Sequence, residues 1–174
     1  EADVTDLLEN KVQLIKPAGT ETKVTGFENI TDAANLALAA DTVPVGQYAR
    51  EIFDNLGITD QVMAMEINEC EDVSAVLAAV SEGSNEVGIV YATDAASVAD
   101  KVEVIATAND TELKSKVIYP VGLVKNTEAY DAETAATYEL TATITLKGDY
   151  KFEGGAATKE VKVSVTVQAA PAYK

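Results

Sequence analysis

The stretch Glu86-Val-Gly-Ile-Val-Tyr91 (EVGIVY) decides the fold, because a continuous apolar run of this length is typical of a strand buried on both faces of a sheet. A helix is predicted before it at residues 72–82, where apolar residues recur at helical spacing between Asp72, a good N-cap, and Gly83. A short helical turn is predicted after it, at residues 93–97. This strand therefore lies between two helical segments.

The same alternation extends along the first 126 residues of the chain. Residues 47–56 carry apolar residues at helical spacing, with Pro44 suited to the first turn and Gly57 as a C-terminal stop. Other short apolar runs predict strands at 11–16, 35–40, 64–68, 102–106 and 117–124. Strands and helices that alternate in this way predict an α/β layer with a mainly parallel central sheet.

The pattern changes near the C-terminus. Residues 137–146 and 157–167 alternate apolar and polar side chains with period two, and a Gly-containing stretch joins them. They predict an antiparallel β-hairpin appendage, and they resemble the closing strands of a bacterial immunoglobulin-like domain. So few strands do not make a sandwich, so we expect them to pair with an open sheet edge or with a second chain, as in self-association. The predicted division is an α/β domain at 1–130 and the appendage at 131–174.

Composition excludes several classes of function. The chain has 174 residues with 29 acidic and 13 basic side chains, a formal charge of −16, so nucleic acid and anionic membranes are not expected partners. The absence of His and the single Cys70 exclude a Ser-His-Asp or Cys-His catalytic group, a zinc site of the usual kind and an internal disulfide. We expect no enzyme activity, no metal site and no cofactor. The sequence contains no apolar run near the roughly 20 residues that cross a bilayer.

Three polar features have simple structural interpretations. Cys70 precedes a helix, whose dipole would activate a thiol, but the acids around it oppose thiolate formation and favour a packing role. Those acids, Glu69, Glu71 and Asp72, lack the spacing of a calcium loop and are interpreted as a solvated face. Asp94 is interpreted as a cap of the helical turn that follows Tyr91 rather than as a catalytic carboxylate.

Four segments of the chain together carry a family resemblance. They are TVPVGQYARE at 42–51, EDVSAVLAAV at 71–80 followed by Glu82-Gly83, GIVYATD at 88–94 and VIYPVGLV at 117–124. In this order and spacing they resemble the second lobe of molybdate-binding proteins, the substrate-binding components of ABC importers. The resemblance spans about residues 7–130.

The resemblance implies a type II periplasmic-binding fold, in which two α/β lobes hold an oxyanion in the cleft between them. The first lobe of the family precedes the segment that matches residues 6–12, and it supplies two hydroxyl donors that have no counterpart here. Segments 11–16 and 117–124 match the strands that cross between the lobes. The chain is therefore interpreted as a single lobe with its partner lobe absent.

The resemblance also implies the binding residues. Carried over by position, the backbone N–H groups of Val45 and Val73 and the hydroxyl of Tyr91 would donate to the anion. Such donors suit an oxyanion because the first N–H groups of a helix are unpaired and lie at the positive end of its dipole. The family commonly has Ala where Val45 stands, so a larger side chain there would narrow the cleft or tilt the helix. Without the resemblance, Val45 is only a helix entry, Val73 an apolar first-turn residue and Tyr91 a half-buried aromatic.

The predicted function is an extracytoplasmic substrate-binding protein that binds molybdate or tungstate and delivers it to an ABC transporter permease. Neutral donors disfavour a protonated anion, whose O–H would find no acceptor. Selection against sulfate depends on a cavity size that both lobes set. The alternative is a non-catalytic cell-surface interaction module with a degenerate binding lobe.

Overall fold

Alternating strands and helices build a five-stranded sheet in the computed structural model, which describes residues 4–122, 136–145 and 158–167. The strands are β1 Val4–Asn10, β2 Val12–Pro17, β3 Asn35–Ala39, β4 Glu66–Cys70, β5 Val87–Tyr91, β6 Val102–Thr107, β7 Val117–Gly122, β8 Ala136–Thr145 and β9 Thr158–Val167. The helices are α1 Pro44–Leu56, α2 Thr59–Met63, α3 Val73–Ser81 and α4 Ala92–Ser97, with a 3-10 helix at Phe27–Asp32. The chain divides into two compact units, of which the larger is Glu9–Val117.

The sheet of the larger unit has the order β4-β3-β5-β2-β6. Strand β3 is parallel to both of its neighbours, β4 and the central strand β5, whereas β2 is antiparallel to both β5 and β6. The prediction of a mainly parallel sheet therefore needs correction: four strands share one direction, but the sheet is mixed. A buried apolar run reads the same in either direction, so the pattern at residues 11–16 carried no information on the orientation of β2.

Helix α1 packs on this sheet through its apolar side. Ala49, Ile52 and Phe53 are fully buried at helical spacing, as the sequence predicted. The helix begins at Pro44, three residues before the predicted segment at 47–56, and ends at Gly57, which adopts a left-handed conformation with φ of 69°.

Two local features differ from the sequence prediction. The strand expected at 64–68 lies at Glu66–Cys70, because the short helix α2 continues to Met63 and displaces the strand start. The sequence predicted no element between residues 17 and 34, where the structure has the 3-10 helix, whose Phe27 and Ile30 are fully buried in the core. Two buried apolar residues are too few to show a helical periodicity in the sequence, so this helix was not predicted.

The ends of the larger unit lie side by side. The Lys116 ammonium is 3.5 Å from the Glu9 carboxylate. A cavity of about 280 Å³ is lined by residues from both ends, including Val12 and Val117. The chain therefore enters and leaves this unit at neighbouring points.

The second unit contains two pairs of strands, β1 with β7 and β8 with β9. Strands β8 and β9 are antiparallel from Ala136↔Val167 to Thr145↔Thr158, in agreement with the predicted pairing. The connecting stretch at 147–155 and residues 123–124 of a predicted strand lie outside the described residues. The immunoglobulin-like resemblance, the division at residue 130 and self-association through these strands stay predictions.

Across the described ranges, every helix is too short or too polar to cross a lipid bilayer.

Candidate anion-binding site

Three helices begin at one edge of the sheet. Strands β4, β3 and β5 are parallel neighbours, so their carboxyl ends lie together, and they lead into α3, α1 and α4 respectively. Ligands of open α/β sheets bind beyond the carboxyl ends of the strands. This edge brings together all three predicted site residues: Val45 in α1, Val73 in α3 and Tyr91 at the end of β5.

The start of α1 lacks a side-chain cap. Its N-cap residue is Val43, in extended conformation with no side-chain hydrogen bond, followed by Pro44 and then Val45. A first-turn N–H such as that of Val45 has no partner within the helix, so it is available to an acceptor. Val45 as a whole is 1% exposed and packs in the hydrophobic core. A narrower cleft or a tilted helix at this position stays a prediction.

Gly46 explains how α1 meets the sheet. A Cβ atom at this position would lie 2.2 Å from the Ala40 carbonyl oxygen and 2.4 Å from that of Ala39. Real side chains do not tolerate such distances to backbone atoms, so only glycine allows the first turn to approach the end of β3 this closely. The resulting contact fixes the position of the Val45 N–H.

Arg50 joins the same two elements. Its Nη1 donates to the carbonyl oxygens of Ala39, at 2.9 Å, and of Gly46, at 2.8 Å. Its Nη2 lies 3.9 Å from the Glu69 carboxylate on β4. The Arg50 side chain is 23% exposed and that of Glu69 is 67% exposed, so solvent weakens the attraction between them.

The start of α3 has a conventional cap. The Asp72 carboxylate accepts a hydrogen bond from the Ala75 N–H at 2.8 Å, which confirms the predicted N-cap. Val73 is the first helical residue, and its half-buried side chain packs against the core. The apolar interpretation of that side chain and an anion-binding role for its N–H are therefore compatible.

Tyr91 lies where β5 passes into α4. It is half-buried, pairs in register with Val12 of β2, and serves as the N-cap residue of α4. Its ring meets that of Tyr48 edge to face, with centroids 6.4 Å apart and an interplanar angle of 70°. This arrangement is favourable for two aromatic rings and orients Tyr91 from the first turns of α1.

Asp94 and Cys70 have structural surroundings. The Tyr91 N–H hydrogen-bonds the Asp94 carboxylate, while burial raises the pKa of that carboxyl above its usual value. Asp94 is the third residue of α4 and accepts a hydrogen bond at the start of that helix, and its Oδ2 is buried with no hydrogen-bond partner.

Burial, assisted by the Asp72 charge, raises the pKa of the Cys70 thiol, whose Sγ donates to the Asn68 carbonyl oxygen at 3.5 Å. These surroundings agree with the predicted packing role of Cys70.

The acidic side chains of this edge do not assemble a cation site. Within residues 4–122 and the two described C-terminal strands, no group of three or more His, Cys, Asp or Glu side chains is arranged to hold a metal ion. The site thus combines backbone N–H donors and a phenol, with one guanidinium behind them.

Sequence reasoning missed Tyr48 and Arg50. Both lie in the segment at 42–51 that carries the resemblance, three and five residues after Val45. Their spacing from Val45 could have identified them, because side chains one turn further along a helix point back over its first turn.

An α/β unit with helix N-termini at the carboxyl edge of its strands has the arrangement by which open α/β sheets bind ligands, anions included. Residues 1–139 match the family described as bacterial extracellular solute-binding protein, and the chain belongs to this family. Membership supports the predicted non-enzymatic role.

Individual relatives agree with this assignment. A Bacillus subtilis (strain 168) protein named "Putative ABC transporter substrate-binding lipoprotein YvgL" is 35% identical over 127 residues, which cover 72% of this chain and 48% of that protein. Molybdate-binding protein ModA of Escherichia coli (strain K12) is 34% identical over 127 residues, 68% of this chain and 48% of that protein. The solved "substrate binding domain of putative molybdenum ABC transporter from Clostridium difficile" aligns with a TM-score of 0.65 at 31% identity, over 74% of this chain and 56% of that one. The chain spans about half the length of the curated relatives it matches.

Proposed function

We propose that this chain is the second lobe of an extracytoplasmic substrate-binding protein that binds molybdate or tungstate for delivery to an ABC transporter permease. The observation that carries the proposal is the convergence of the α1 start, the α3 start and Tyr91 at one sheet edge. The support comes from relatives named for molybdate binding, molybdenum transport and ABC transport.

The chemistry of this edge suits a fully deprotonated oxyanion. The backbone N–H groups of Val45 and Val73 only donate, and the Tyr91 hydroxyl has one further proton to donate. A tetrahedral dianion carries only acceptor oxygens, so every one of its hydrogen bonds is satisfied by such donors. The helix N-termini supply partial positive charge without a cationic ligand.

A complete site requires a second lobe. The chain covers about half the length of its relatives, and the proposed donors all lie on one edge of one unit. We propose that a preceding lobe covers this edge and supplies further donors, and that closure of the two lobes creates the surface that the permease recognises.

The test is isothermal titration of molybdate, with sulfate as competitor, into this chain preceded by the sequence that extends it to the length of its relatives. We expect one molybdate per molecule, not displaced by a large excess of sulfate. Tyr91→Phe removes one hydrogen bond to a charged ligand, so affinity should fall about 10- to 100-fold.

Tyr119→Phe is the matched control. Tyr119 belongs to the other compact unit and is 43% exposed, so its loss should leave affinity unchanged. Absence of heat with both molybdate and tungstate would reject the proposal and favour a cell-surface interaction module with a degenerate lobe. Equal effects of the two Tyr→Phe changes would reject the placement of the site.

A further inference from the structure

Arg50 of α1 contacts both β3 and β4 at the sheet edge that carries the proposed donors. We propose that Arg50 is a positioning and specificity residue of the anion site: it holds the first turn of α1 against β3, and its charge, moderated by Glu69, favours divalent over monovalent oxyanions. The inference rests on the proposed function and identifies what sets the charge preference of that site.

The positioning role follows from the hydrogen bonds. One guanidinium nitrogen, Nη1, donates to a carbonyl at the end of β3 and to another in the first turn of α1. The second carbonyl belongs to Gly46, the neighbour of Val45 and the residue in closest approach to the strand. Arg50 thus ties the proposed donor to the sheet from one turn further along the helix. Nη1 carries two N–H groups in the fixed plane of the guanidinium, one for each acceptor.

The specificity role follows from the charge balance. Residues 69–72 bring three exposed acids, Glu69, Glu71 and Asp72, to the same sheet edge, where they repel an anion. Arg50 opposes them with a charge that is permanent, because a guanidinium does not deprotonate in proteins. The Nη2 to Glu69 distance of 3.9 Å leaves that charge incompletely neutralised. An electrostatic contribution of this kind acts on a dianion about twice as strongly as on a monoanion.

Molybdate and perrhenate separate charge from shape, because both are tetrahedral oxyanions of metals but carry two and one negative charges. Titrations use the extended protein described above, with perrhenate measured by competition. Arg50→Gln should weaken molybdate binding about tenfold or more and lower the ratio of molybdate to perrhenate affinity. Arg50→Lys keeps the charge but loses the planar group that directs the two hydrogen bonds, so both affinities should fall while their ratio is kept.

Glu69→Gln tests the charge term without disturbing the fold, because the residue is exposed. It should raise molybdate affinity about two- to fivefold at low salt and increase the ratio, with the gain lost at high salt. The control is Glu66→Gln, which removes the same charge at the opposite end of β4, and it should change neither quantity.

The outcomes distinguish this inference from the function on which it rests. If the unsubstituted protein binds no oxyanion, the proposed function fails and this inference with it. If that protein binds molybdate but Arg50→Gln stays within twofold of it, the inference alone is overturned. The charge role is likewise overturned if Glu69→Gln matches Glu66→Gln. Thermal unfolding of each variant identifies any that lose affinity through loss of the fold.

Discussion

The starts of α1 and α3 lie at the same sheet edge but are held in different ways. The start of α3 is capped by its own Asp72 carboxylate, which occupies the Ala75 N–H. The start of α1 has no side-chain cap. It is held against β3 by the close approach of Gly46 to that strand and by the hydrogen bonds of Arg50. The start of α1 therefore carries no capping carboxylate, whereas the start of α3 carries the Asp72 charge.

The largest test of this difference exchanges the third residues of the two helices. Gly46→Ala places a methyl group within 2.4 Å of two carbonyl oxygens, so we expect a loss of about 2 kcal/mol in the free energy of unfolding. Ala75→Gly, at the equivalent position of α3, should cost only about 0.5–1 kcal/mol. Urea unfolding followed by circular dichroism measures both. Equal losses would show that close approach does not hold α1.

A smaller effect tests the cap of α3. Asp72→Ala removes the acceptor of the Ala75 N–H and should cost about 1 kcal/mol in the same unfolding measurement. Ser74→Ala is the control, since Ser74 is exposed in the same turn and is not the cap. If both substitutions leave the urea midpoint unchanged, the cap does not stabilise α3, and the two helix starts do not differ in how they are stabilised.

The smallest effect concerns the thiol beside α3. A helix N-terminus lowers a thiol pKa, but burial and the Asp72 charge raise that of Cys70 above its usual value of 9.0. The thiolate fraction at pH 8 is therefore lower in the folded protein than in a free cysteine, and reaction with a disulfide reagent should be slow until the protein unfolds. Half-maximal reactivity of the folded protein should require a higher pH than that of the unfolded chain.

The Asp72 contribution to that reactivity is separable. Asp72→Asn keeps an oxygen that caps the helix but removes the charge, so we expect the reaction of Cys70 to accelerate by about two- to threefold. Asp60→Asn, which removes an exposed charge from α2, should leave the rate unchanged. An unchanged rate in Asp72→Asn would assign the pKa shift to burial alone.

Much of the fold was predictable, because local signals decided it. The apolar run ending at Tyr91, the Asp72 cap and the Gly57 stop each depend on a few neighbouring residues, and each lies where the sequence placed it. The direction of β2 was not predictable, since it depends on the end of the sheet at which the chain enters this strand.

The contacts around the candidate site were not predictable. The resemblance named Val45, Val73 and Tyr91, and the sheet brings their elements to one edge, but their role in binding stays a prediction. The hydrogen bonds of Arg50 could be found only from the structure, because their acceptors are backbone carbonyl groups and the sequence does not mark them. Backbone acceptors and donors are present at nearly every residue, so pattern alone does not select among them.

The meeting of the two ends of the larger unit has a consequence for how such a protein is assembled and altered. Glu9 and Lys116 are joined by an ion pair at 3.5 Å, so the segment between them forms a loop closed at its base. A segment of this kind is transferable as one insertion, since only two neighbouring peptide junctions need to be matched in a host. It also lends itself to circular permutation, with a short linker across the base and new termini in an exposed turn such as that at Gly83.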